Sequence, residues 1–177
     1  GRRPRGRRAG LGERMKLADV RRVAVQAQGF LQTARADPDD VEGCVRRLSC
    51  IQLDSIVVVE RSHRLVLASR VGHVPPGVET QLLSQGKLFE YWAHEASLLP
   101  IEDWPLFKFR MRERATDPHW WGPVISGDPK LARRVLAMVK RKGNVRAADF
   151  GGRSEGMWVL KPEKRMLDAL WTAGRLV

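Results

Sequence analysis

The tetrapeptide Asp37-Pro38-Asp39-Asp40 constrains the fold more than any other stretch of the chain. Asp37 offers a side-chain cap, Pro38 suits the first helical position, and two further carboxylates face the positive end of the helix dipole. Val41, Cys44, Val45 and Leu48 then recur at i, i+3, i+4 and i+7, which predicts an amphipathic helix with one apolar stripe to bury. Something else in the chain must cover that stripe. Residues 17–31 predict a first amphipathic helix, with Val20, Val23, Ala24, Ala27, Phe30 and Leu31 at helical spacing and Arg21, Arg22, Gln28 and Gln32 mostly on the other faces.

Downstream, Ile51 to Val59 is rich in β-branched residues and predicts an extended segment leading into a third helix near Ser62–Ser69. Gly86 to Trp92 and Ala96 to Leu99 predict two short strands around a turn. Helix, helix, extended turn, helix and small hairpin is the order of a winged helix. Residues 101–115 predict a connecting helix, with Trp104, Phe107 and Met111 along one face. Asp128-Pro129 opens a helix to Lys142, with Leu131, Val135, Met138 and Val139 inward, Lys130, Arg133, Arg134, Lys140 and Arg141 largely outward, and Gly143 as its stop. A short segment from Val145 to Phe150, a helix from Lys161-Pro162 to Ala173 and an extended start at Gly174–Val177 complete the pattern. The expected fold is mainly α with small β hairpins, built as tandem winged-helix (helix-turn-helix) modules with the second wing truncated. The expected domains are a basic tail over 1–14, a first winged-helix module over 15–100, a connecting helix and loop over 101–127, and an incomplete second module over 128–177.

Composition narrows the partner. With 43% hydrophobic and 29% charged residues the chain can bury a core, and 32 Lys and Arg against 20 Asp and Glu give a net +12, which favours a polyanion. Residues 1–14 hold six Arg and one Glu, as a segment upstream of a true start at Met15 or as a basic arm along phosphates. Residues 15–129 are nearly neutral, with 14 basic and 15 acidic side chains, whereas 130–165 carry 11 basic and 3 acidic. That asymmetry favours an oriented nucleic-acid surface. Cys44 and Cys50 form no CxxC and have no suitably spaced His, so no metal site is expected. No apolar run reaches the ~18 residues of a membrane span, and the Arg-rich start lacks the apolar stretch of a secretory signal. The expectation is a monomeric chain of the cytoplasm, at the nucleoid. Its apolar last residues, Leu176 and Val177, suggest the front portion of a longer protein.

Several motifs carry no chemistry. Gly122 to Gly127 has phosphate-loop spacing, but Asp128 stands where Lys is needed. Ser84 and Lys87 match SxxK without its partner motifs. His94-Glu95 has Leu98 where a second zinc ligand would stand. Gln52-Leu53-Asp54 is different, because in an extended turn an amide and a carboxylate two residues apart lie side by side. The other reading makes Asp54 the cap of the following helix and Gln52 a solvated neighbour.

Ile51-Gln52-Leu53-Asp54-Ser55-Ile56, Glu60 to Gly72, and Glu90-Tyr91-Trp92-Ala93-His94-Glu95-Ala96 together resemble the winged-helix DNA glycosylases of the AlkZ/YcaQ type. So do Val145 to Phe150, Lys161 to Arg165 and Leu170 to Gly174. The resemblance covers about residues 17–177. It implies excision of N7-alkylated purines, and the Gln-apolar-Asp motif implies the branch that unhooks interstrand cross-links. It implies catalysis by Gln52 and Asp54 without metal or organic cofactor, double-stranded alkylated or cross-linked DNA as partner, and a full-length relative more than twice this long. His94 and Glu95 are candidates for active-site support or hairpin anchors. Trp120-Trp121 could stack on bases or pack a seam between modules. Arg61, Arg64, Arg70, Lys130, Arg133, Arg134, Lys161, Lys164 and Arg165 are candidate DNA contacts or solvated helix faces. The competing functions are a non-catalytic winged-helix regulator and an inactive truncated gene product.

Overall fold

A computed structural model describes residues 15–30, 38–119, 121–151 and 160–177. Its first helices are α1 (Leu17–Ala27) and α2 (Pro38–Leu48). α2 buries Val41, Cys44 and Val45 as the spacing predicts, while Asp37, its expected cap, lies outside the described residues. α1 forms where expected, yet none of its residues is buried and Val20 and Val23 are exposed. The stripe of α2 is covered by α3 (Ser62–Val71) and α4 (Val78–Ser84), which contribute Leu67, Val71, Val78 and Leu82. The end of α1 is fastened to α3 by Arg70, whose Nε donates to the Gln28 carbonyl at 2.8 Å and whose guanidinium lies 4.2 Å from the Phe30 ring centre. Leu31 and Gln32 lie outside the described residues.

Three short strands, β1 (Ile51–Gln52), β2 (Leu88–Trp92) and β3 (Ala96–Pro100), form an antiparallel sheet in the order β1-β3-β2. Ile51 pairs with Leu98, Gln52 with Ser97, and Tyr91 with Ser97 from the other side. The extended segment expected over Ile51–Val59 is cut short. The Leu53 amide still donates to the Ala96 carbonyl at 2.7 Å, but β3 begins at Ala96 and offers no further partner.

Both faces of this sheet are covered. Ile51, Leu88 and Leu98 share one face by pairing; Ile51 and Leu88 join the core formed with α2, α3 and α4. On the other face, Phe89, Tyr91 and Leu99 pack with Met111, Trp104 and Phe107 of α5 (Trp104–Thr116) and with Trp171. Phe89 meets the Trp104 ring edge-on at 5.1 Å between centroids, a favourable aromatic geometry. Two-sided burial explains why these strands do not alternate apolar and polar residues.

The remaining helices are α6 (Gly122–Gly127), α7 (Pro129–Lys142) and α8 (Pro162–Thr172), with a 3-10 turn at Ala147–Phe150 between the last two. Asp128 caps α7 by accepting from the Leu131 amide at 2.8 Å. Ala132, Val135, Met166 and Leu170 form a third core. α8 also docks on the sheet, since Tyr91 Oη donates to the Thr172 carbonyl at 2.6 Å and Trp171 Nε1 to the Glu90 carbonyl at 3.0 Å. Beyond it Gly174 has φ +66°, and a Cβ there would stand 2.5 Å from Met111 Sδ. The chain over 174–177 turns and forms no strand, so the extended start expected there is corrected. The described molecule is mainly helical with one small three-stranded sheet.

Candidate active site

Ser49 ends α2 with φ +63°, a left-handed turn that sends the chain into β1. Pleating then separates neighbours: Ile51 is buried and Gln52 is exposed. Among the described residues of the three strands, Gln52 alone is exposed. Asp54 follows, half-buried, and its Oδ1 accepts from the Ile56 amide at 2.8 Å in a tight local turn. α3 begins only at Ser62, so Asp54 does not cap it. The amide and the carboxylate therefore stand two residues apart at the free end of an edge strand.

The hairpin turn between β2 and β3 lies beside them, because the Leu53–Ala96 hydrogen bond carries the pairing up to it. That turn is held by backbone groups. The Ala93 amide donates to the Glu95 carbonyl at 3.0 Å, Ser97 Oγ donates to the same carbonyl at 2.9 Å, and Arg110 Nη1 donates to the Ala93 carbonyl at 3.3 Å. His94 and Glu95 are exposed upon it. A groove of about 770 Å³ runs from His94 past Leu99 and Phe107 to Cys50. Spacing gave no sign of this groove, because it arises only when α5 crosses the sheet.

The chemistry available here is that of a carboxylate and an amide. Asp54 Oδ2 has no hydrogen-bond partner among the described residues, which leaves one oxygen to take a proton. Glu60, at the other end of the loop, is held below the ordinary carboxylate range by the Arg61 amide, against the smaller opposing effect of desolvation. Among the described residues no group of three or more His, Cys, Asp or Glu is placed to hold a metal ion.

The family model for DNA glycosylase AlkZ-like proteins matches residues 45–177. The chain belongs to the AlkZ-like DNA glycosylase family. No solved structure matches it. The matched span begins within α2 and contains Gln52, Asp54, the sheet with its hairpin turn and α3 to α8, while α1 and the first core's Val41 and Cys44 precede it. Membership makes DNA the partner and cleavage of a base-to-sugar bond the reaction class. Among the described residues no helix is long and apolar enough to cross a membrane.

For an AlkZ-like glycosylase the placement of cations matters next. Arg61 is exposed at the start of α3. Arg64 is engaged by Glu79, at 2.7 and 2.9 Å, by Glu60 and by the Val74 carbonyl. Arg70 is engaged by Gln28 and Phe30. Lys130 and Arg133 are exposed on α7, and Arg134 bridges to Glu163 of α8. Lys161 donates to the Gly151 carbonyl, Lys164 pairs with Asp168, and Arg165 is exposed. Trp120 lies outside the described residues and Trp121 is half-buried before α6, whereas Trp92, Trp104 and Trp171 fill the seam between sheet, α5 and α8.

Proposed function

We propose that this AlkZ-like chain hydrolyses the N-glycosidic bond of N7-alkylated purines in duplex DNA and unhooks interstrand cross-links, with Gln52 and Asp54 as its catalytic residues. The observation that carries this reading is the exposed Gln52 beside Asp54, whose Oδ2 has no partner among the described residues, at the open end of a sheet whose other residues are buried or half-buried. An N7-alkylpurine is already cationic, so its bond to C1′ breaks with the electron pair going to the ring and the base leaves neutral. The sugar left behind resembles an oxocarbenium ion. Asp54 stabilises that cation and takes the proton of the water that attacks C1′, while the Gln52 amide aims the water. A cross-linked base remains tethered to the opposite strand, which favours a site reached from the groove over full extrusion.

The sheet order β1-β3-β2, with α2, α3 and α4 packed beneath, supports a winged-helix arrangement for the first module. The α7, 3-10 turn and α8 series supports a second module of the same kind. We place the protein on chromosomal DNA as a monomer. The test is release of base from duplex containing N7-methylguanine. Asp54→Asn lowers release by at least ~100-fold, the scale of a lost general base, with duplex binding retained. Undiminished release by that variant rejects the assignment.

A further inference from the structure

The loop that follows the catalytic pair has an unusual surface. Ile56, Val57, Val58 and Val59 are 70, 56, 90 and 87% exposed. Four consecutive exposed apolar residues differ from the scattered ones common on soluble proteins and mark a contact surface. The loop is also pinned at both ends. Asp54 Oδ1 holds the Ile56 amide, Val57 and Arg61 form an isolated antiparallel bridge, and Glu60 Oε1 accepts from the Arg61 amide at 2.8 Å. Val58 and Val59 thus form the tip of a closed turn, and β-branching leaves their side chains few rotamers. Exposed Arg61 stands at its foot, beside the start of α3.

We infer that Val58 and Val59 form a wedge that enters the base stack of the duplex next to the damaged nucleotide and unstacks one step. This rests on the proposed function, since it is Asp54 that the same turn would bring to the sugar. DNA is the occupant that fits: the family acts on it, a cation able to meet a phosphate stands at the loop's foot, and stiff apolar side chains unstack base steps when inserted from the groove. The side chain that anchors the loop is the proposed general base, so insertion of the tip and placement of the carboxylate are one motion.

The test uses the full chain and a duplex carrying N7-methylguanine beside 2-aminopurine, whose fluorescence rises on unstacking. Asp54→Asn raises that fluorescence on binding, because it binds without excising. In the same background Val58→Ser with Val59→Ser binds within about threefold as tightly and gives no rise. With Asp54 restored, the double serine variant loses at least ~10-fold of its excision from duplex and keeps wild-type excision from single strands, where no stack must open. Unchanged circular dichroism and melting show that the exposed substitutions leave the fold intact. A full fluorescence rise with the serine variant overturns the wedge. So does sedimentation showing that the serines convert a dimer to a monomer, which would make the loop an interface between copies. Absence of excision by the wild-type chain removes the proposed function while the fluorescence arm still decides the wedge.

Discussion

Glu90 shows how single residues near the site are set by their surroundings. Burial raises its carboxyl above the ordinary value of 4.5. The folded protein therefore binds this proton more tightly than the unfolded chain, and the stabilisation is complete below pH 4.5 and lost as pH rises through the folded value. Glu90→Gln should raise the melting temperature at pH 8 and leave it unchanged near pH 4, as differential scanning calorimetry would show. A gain of equal size at both pH values contradicts the buried-carboxylate account. His63 has the opposite sign: burial lowers its pKa, so its contribution is present above pH 6.5 and declines as pH falls through the folded value. At the site, spacing is informative only as far as the chain stays extended. A pair two apart in extended chain shares a face; β1 ends at Gln52, so Asp54 lies just beyond the strand. What spacing could not show is that Asp54 closes its own turn on Ile56, because whether a carboxylate caps a helix or a loop depends on where the next helix starts.

Elements were legible in proportion to how much of their signal is local. α2 and α7 each begin at an Asp-Pro step followed by a long apolar stripe, and both stand where the pattern puts them. α4 was invisible: seven residues after Pro75-Pro76-Gly77 give Val78 and Leu82 as inward positions, too few to define a period. α1 has the right period and no burial, since an apolar face says nothing about whether a partner lies over it. The same limit applies to charge on helices. Arg64 and Arg133 look equivalent as sequence, yet one is locked to Glu79 and the other is exposed on α7. Arg133→Ala should therefore reduce the slope of log affinity against log salt by about one unit. Arg64→Ala should lower the melting temperature by leaving Glu79, half-buried, without its partner. A salt slope unmoved by Arg133→Ala would remove it from the phosphate contacts.

For the molecule as a whole, the three cores share walls, the sheet standing between the first and the second and α8 joining the second to the third. Trp171 is the joint, meeting Tyr91 edge-on and Trp92 at a tilt, at 5.7 and 5.3 Å between centroids, and donating to the Glu90 carbonyl. Trp171→Ala should cost about 3 kcal/mol and shift one common transition in urea, seen alike by fluorescence and circular dichroism. Two separated transitions would show that the halves fold independently. The net charge also divides by place, with the cation-rich stretch on α7 and α8 and the proposed carboxylate in the neutral half. Because the sheet is covered on both sides, drift in its sequence is heavily penalised: a change at Phe89, Tyr91, Leu98 or Leu99 disturbs a packed neighbour. Gln52, exposed at the edge, is the sheet position where selection can exchange one side chain for another without unsettling the scaffold; under the proposed function that makes it the point at which descendants of this chain acquire different lesion chemistry.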